Sequence, residues 1–296
     1  MRLNSNPYKL LMIPALILAI SSVFFEALSY FHSVWMDDGT YSHGYMILVI
    51  VAFVLYKQKD ELKLTVTGLH AGGGLCLLIL LLLAYAANHF KLDFVYRLLF
   101  IPAIASTIYG LYPREQAYKF ILPLALFSLA VPIWGLTIPA LQYIAVSVVG
   151  EAVSWSGIEV MVQGIYLSIA AGTFKVANGC SGLRYLLVGG AIALLYSHLF
   201  FKERNSWVVM LATSIALGLI TNWVRIIYLV YVGHESQMTD PLIADHNMLG
   251  WYIFIVPLIF IFWLGRVLEA HEESNKNVLL DHVFTEPLAS HKTTAG

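Results

Sequence analysis

Charge is scarce in this sequence. Lys, Arg, Asp and Glu together make up 12% of the 296 residues, about half the share of an ordinary soluble domain. A chain this poor in charge cannot cover a globule with polar side chains, which excludes a soluble enzyme and a disordered segment. Neither sign is in excess: 17 basic residues stand against 18 acidic ones. That leaves no surface for a polyanion and excludes a nucleic-acid binder. Cysteine is nearly absent, with Cys76 and Cys180 alone, so there is no disulfide scaffold. No metal-ligand cluster, Gly-rich phosphate loop, H-E-x-x-H pair or G-x-S-x-G elbow occurs, and neither metal nor cofactor is expected. The first apolar run continues to Glu26 without a small-residue cleavage site, so no removable signal peptide is expected.

Apolar residues fill the space that charge vacates. They make up 59% of the chain, and mean hydropathy is +0.75. A helix needs about 20 apolar residues to cross the hydrocarbon core. Eight stretches approach this, at about 9–30, 42–56, 68–88, 93–112, 117–136, 181–200, 207–233 and 248–266. The second is short, and the polar run KQKDELK at 57–63 closes it. The expected fold is an all-α polytopic membrane protein of about eight transmembrane helices. One membrane-embedded domain covers 1–266, and a flexible polar tail covers 267–296. Eight spans put twelve of the 17 basic residues on one side, among them Arg2, Lys57, Lys59, Arg114, Lys202, Arg204 and Arg266. By the positive-inside rule that side, with both termini, is cytoplasmic.

The opposite face then carries the unusual material. Residues 139–157 form an apolar helix with Ser147, Glu151 and Ser154 in one polar stripe. This suits a helix lying in the interface, or a ninth, re-entrant element. From Ile158 the alternation of Glu159, Met161 and Gln163 with Val160 and Val162 predicts strands, and Gly164 and Gly172 bracket IYLSIAA. A small extracytoplasmic β-hairpin is expected before the sixth span, outside the lipid. It leads directly into Asn178-Gly179-Cys180-Ser181-Gly182-Leu183-Arg184.

Chemistry concentrates on the same side. Cys76 lies within the third span and Cys180 opens the sixth, too far apart in depth for a disulfide. Cys180 is thus a thiol facing an oxidising compartment at a helix start, where the dipole favours a thiolate. The competing reading is a small buried side chain between two glycines. Arg225 lies 18 residues past Trp207, about 27 Å along a helix, and an intramembrane charge marks function unless it snorkels to the interface. Asn222, one turn earlier, can orient it. His246 sits between the last outer loop and the eighth span, where it can relay protons or be an ordinary loop histidine. Arg184, four residues after Cys180, can lower the thiol pKa, hold a carboxylate or reach headgroups. His43 and Tyr41 open the second span as pocket-lining candidates, whereas Trp35 fits an interface anchor. A thiol, a guanidinium and an imidazole at similar depth fit nucleophilic acyl chemistry: Cys attacks a carbonyl, His relays the proton and Arg holds the oxygen.

At N-G-C-S-G-L-R (178–184), N-W-V-R-I (222–226), the histidine opening the last span, and Y-S-H-G (41–44), the chain resembles the exosortase/archaeosortase family of polytopic membrane transpeptidases. The resemblance covers most of 30–266. It implies Cys180 as nucleophile, Arg225 as catalytic arginine and His246 as catalytic histidine, a set also used by the unrelated cell-wall sortases. The resemblance further implies a thiol protease or transpeptidase at the bacterial inner membrane, with its active site on the periplasmic side. Its substrates would be secreted proteins with a C-terminal sorting signal: a Pro-Glu-Pro-type motif, a hydrophobic span and a basic end. Such systems usually accompany exopolysaccharide loci. Arg184, His43 and Asn222 are the substrate-binding candidates, and a glycan or lipid is the expected acceptor. Two rivals stand beside this. One is a non-catalytic transporter or scaffold for surface polysaccharide assembly, although no internal repeat of the transporter kind is evident. The other is a plain intramembrane protease.

Overall fold

The computed structural model describes residues 7–37, 39–62, 69–244 and 247–290. They fall into two compact units, Met1–Ile138 and Pro139–Gly296.

The first unit opens with α1 (Pro7–Val23) and α2 (Phe25–Met36), which meet at a 74° bend. No proline or glycine causes the break at Phe24. Its fully buried ring instead stacks on Tyr96 at 5.4 Å and meets Phe100 edge-on at 5.2 Å. The Tyr96 hydroxyl donates to the carbonyl of Val23 at 2.7 Å, supplying a partner where the helix ends. There follow α3 (Gly44–Lys57), α4 (Ala71–His89), α5 (Asp93–Leu98), α6 (Phe100–Leu111), α7 (Arg114–Ala117) and α8 (Ile121–Ala130). The α4 helix starts at an unusual cap: Nδ1 of His70 accepts from the Gly73 amide at 3.2 Å, while Nε2 meets the Tyr109 carbonyl at 2.9 Å. Because Nδ1 accepts, the proton is assigned to Nε2. The α4 and α6 backbones then touch: a Cβ on Gly73 would lie 2.4 Å from Gly110 Cα. Of the glycines at 72–74, Gly73 is therefore the one that sets this packing. Trp35 is buried rather than anchored at an interface. Its indole donates to the Ala130 carbonyl at 2.9 Å, and its ring fills the space over Gly44.

The second unit is built from α9 (Ile138–Trp155), the strands β1 (Val160–Gln163), β2 (Tyr166–Ile169) and β3 (Gly172–Lys175), then α10 (Leu183–Phe200), α11 (Arg204–Glu235), α12 (Pro241–Ala244) and α13 (Asn247–Ser290). The strands form an antiparallel meander, with Leu167 opposite Val162 on one side and Phe174 on the other. The expected hairpin thus gains a third strand from the TFK run. Leu167 is fully buried against Val146, Val149 and Val153 of α9 and against Ile226 and Val230 of α11. The α9 residues recur every three to four positions, placing one apolar stripe on the sheet. The predicted polar stripe, Ser147, Glu151 and Ser154, is exposed. The helices α10, α11 and α13 pack on one another, with Gly189 pressed against Ser214 (Cβ to Oγ 2.8 Å) and Gly190 in open space.

Among the described residues, six helical segments are long and apolar enough to cross a membrane: Ala71–His89, Asp93–Leu111, Trp134–Trp155, Leu183–Phe200, Arg204–Glu235 and Leu249–Lys276. The bent α1–α2 pair is a seventh if taken as one span. The expected second span is the 14-residue α3. The expected span at 117–136 is divided, because Val131 precedes Pro132 and adopts extended backbone (ψ 128°), which stops α8. The α9 region, read as interfacial or re-entrant, is among the six candidates. The last helix continues past Arg266 to Ser290, through residues the sequence reading assigns to a tail.

Candidate functional site

The sheet delivers the chain to Cys180. After β3 the Val176 amide still pairs with Ile165 O at 2.9 Å, and the backbone then turns through a 3₁₀ element at Asn178–Cys180. The Cys180 amide closes that turn on Ala177 O at 2.8 Å. Gln142, buried on α9, holds the approach: its Nε2 donates to Val176 O at 2.7 Å and to Asn178 Oδ1 at 3.3 Å. Gly182 follows as the N-cap of α10 with φ +93°, a left-handed conformation that glycine adopts without strain. A Cβ there would also lie 3.0 Å from Asn222. Cys180 carries a thiol rather than a disulfide, is half-buried, and packs on the Val146–Leu167–Val230 cluster. Three residues ahead of α10, it sits at the positive end of that helix dipole.

Two side chains one turn apart on α11 reach this turn and its helix. Asn222 is 1% exposed, and its Nδ2 donates to the Cys180 carbonyl at 2.8 Å. The carbonyl fixes which way the amide faces, so Oδ1 points elsewhere, and among the described residues it has no partner. Arg225 is 7% exposed, which answers the snorkelling alternative: its guanidinium turns inward. Its Nη1 donates to the Tyr185 hydroxyl at 3.3 Å, and its Nε finds no partner among the described residues. A buried cation so lightly bonded retains donors for an incoming oxygen. The structure thus joins Asn222 directly to the Cys180 turn, and links Arg225 to the first turn of α10 through Tyr185.

The remaining sequence candidates stand differently. Arg184 is half-buried on α10, and its spacing of four residues from Cys180 does not put the two on one helix face, because the helix begins only after the left-handed Gly182. His43 belongs to the first unit, where Nε2 meets the Leu129 carbonyl at 3.2 Å and the ring stacks on Tyr41. Tyr41 itself is buried, and desolvation pushes its hydroxyl up to about 12. His246 lies outside the described residues. Among those residues, no group of three or more His, Cys, Asp or Glu could hold a metal ion.

Sequence reasoning missed Tyr185, Gly250 and Gln142. Tyrosines near a span end read as interface anchors, so nothing distinguished Tyr185. A glycine in the apolar run LGWYIF signalled close packing at 250 without naming the partner. Gln142 was the usable signal, an amide in a greasy helix that must find a partner.

The family described as transmembrane exosortase matches residues 35–263, about three quarters of the chain. No curated protein and no solved structure matches it.

Proposed function

Because the chain belongs to the transmembrane exosortase family, we propose that it is a membrane cysteine transpeptidase or protease, with Cys180 as nucleophile, Arg225 as the oxygen-binding cation and His246 as the proton relay. The observation that carries this reading is the pair of buried side chains on α11. Asn222 tethers the Cys180 carbonyl, and Arg225, three residues on, keeps donors in reserve.

The Cys180 thiolate attacks the scissile carbonyl, forming a C–S bond while the carbonyl electrons move to oxygen, where Arg225 meets the charge. Collapse of this intermediate breaks the C–N bond, and the leaving amine takes a proton from the His246 imidazolium. A thioester remains. An amine or hydroxyl of an envelope glycan or lipid then attacks it, passing its proton to the imidazole and restoring the thiolate; with water the product is a carboxylic acid. Substrates are secreted proteins ending in a Pro-Glu-Pro-type motif, a hydrophobic span and a basic end. Their shared membrane plane lowers the entropic cost of encounter. Asn222 and Arg184 are substrate-contacting candidates on the second unit, and His43 is a separate candidate on the first. The reaction is assigned to the periplasmic face of a bacterial inner membrane, with both termini cytoplasmic.

The test is processing in cells of a reporter carrying such a tail, comparing wild type, Cys180→Ser and Cys76→Ser. Loss of cleavage with Cys180→Ser alone supports the nucleophile, and the mass of the new C-terminus separates transfer from hydrolysis. Cleavage that survives Cys180→Ser removes the enzyme reading. Absence of cleavage in wild type favours a scaffold.

A further inference from the structure

Tyr185 occupies the junction of three helices. It is 6% exposed, and its hydroxyl lies between two groups that want opposite roles from it. It accepts from Arg225 Nη1 at 3.3 Å and donates to the Gly250 carbonyl of α13 at 3.3 Å. The ring stacks on Phe254, one turn beyond Gly250, with centroids 5.3 Å apart. Arg225 Cζ lies 5.8 Å from the Tyr185 ring centroid. Gly250 is a required part of this junction, since a Cβ there would fall 2.6 Å from the Tyr185 hydroxyl and 3.1 Å from Arg225 Nη1. On the other side, Gly218 of α11 lets the Tyr185 backbone approach, with a Cβ placed 3.3 Å from its carbonyl carbon. Helices from three parts of the chain are therefore cut to fit around one phenol.

We propose that Tyr185 is a positioning residue for Arg225. By taking Nη1, and being held in turn by Gly250, its hydroxyl fixes the plane of the guanidinium and leaves the Nε edge as the donor face for a carbonyl oxygen. Among the described residues the Tyr185 hydroxyl is the side-chain hydrogen-bond anchor of the buried Arg225, and a fork of donors is useful only when its plane is set. Phe at this position keeps the ring, its stacking and its volume, and loses both hydrogen bonds. The consequence for acyl transfer rests on the function proposed above; the positioning contact itself does not.

The test uses the full chain in detergent micelles or lipid vesicles, with initial rates on the tailed reporter and the thermal unfolding midpoint. Tyr185→Phe is expected to lower kcat about ten- to a hundred-fold, as for loss of a hydrogen bond to a charged group, with KM within about two-fold. Gly250→Ala, which drives a methyl into the hydroxyl, should show the same split. The double variant should lose less than the product of the two single losses, because Phe lacks the oxygen that the methyl strikes and only the methyl's 3.1 Å approach to Arg225 Nη1 remains. Wild-type kcat in Tyr185→Phe, an effect confined to KM, or multiplied losses in the double variant overturn the proposal. If wild type does not cut the reporter, the catalytic reading has failed and the midpoints decide. Tyr185→Phe should then lower the midpoint by about 3 °C in the wild-type background and by clearly less beside Arg225→Met, where only the bond to the Gly250 carbonyl is left to lose. Equal shifts in both backgrounds mean that the hydroxyl does not act through Arg225.

Discussion

Replacing Asn222 by Ala isolates the tether between α11 and the Cys180 turn. The bond lost is the 2.8 Å contact from Nδ2 to the Cys180 carbonyl, made by a side chain only 1% exposed. A typical hydrogen bond contributes about 1 kcal/mol net. The truncation also opens space beside Gly182, which now sits in contact range of the amide. Together these predict a loss of about 1–2 kcal/mol in the stability of the second unit. Activity should fall further than stability suggests, because a nucleophile displaced by about 1 Å costs on the order of a hundred-fold in rate. The assay is reporter cleavage in membranes at matched protein levels, with maleimide labelling of Cys180 to show that the thiol is present. Asn222→Asp is the matched control, since it keeps the shape but presents an ionised acceptor to a carbonyl, and it should fail as well. Cleavage by Asn222→Ala within about three-fold of wild type, or full activity in Asn222→Asp, would refute the tether.

Gly182→Ala should place a Cβ on a residue at φ +93° and 3.0 Å from Asn222. The conformation alone costs about 1–2 kcal/mol, so cleavage should be lost while Gly179→Ala, with open space around it, stays active. Gly73→Val should part α4 from α6, where a Cβ already lies 2.4 Å from Gly110 Cα. A loss of about 3 kcal/mol is expected in thermal unfolding, and Gly72→Val, whose nearest neighbour is a His70 nitrogen at 3.8 Å, should be tolerated. Tyr41 holds its proton to about pH 12 in the folded chain against 10 in the unfolded one. The fold therefore has this contribution in full below pH 10 and loses it as the pH climbs through 12. Tyr41→Phe should flatten the alkaline fall in the unfolding midpoint across that window.

The membrane character of the chain was legible because it depends on composition, which tertiary contacts cannot change. Helix continuity was less legible. Val131 before Pro132 carried a local signal for the break after α8, whereas the bend at Phe24 carried none: its cause is the aromatic contact with Tyr96 and Phe100, more than seventy residues away. The third strand was misjudged because Gly172–Lys175 is too short to display alternation, and its pairing with Tyr166–Ile169 is what defines it. At the candidate site, Cys180, Asn222 and Arg225 stood out individually, through a thiol at a helix start and polar groups within lipid-length helices. Their partners did not. The Tyr185 hydroxyl, the Gly250 carbonyl and the Gln142 amide enter through contacts between helices, and spacing along one chain cannot supply those.

Asn222 and Arg225 share one rigid shaft. Three residues of helix separate them by about 4.5 Å along the axis, and α11 runs unbroken from Arg204 to Glu235. Nothing that slides or rolls this shaft can move the tether without moving the cation by the same amount and in the same sense. A one-residue insertion in α11 before Thr221 would carry both through about 100° and 1.5 Å, preserving their mutual geometry while swinging both off α10 at once. The pair is geared: the Cys180 turn and the cation stay in register together or leave it together.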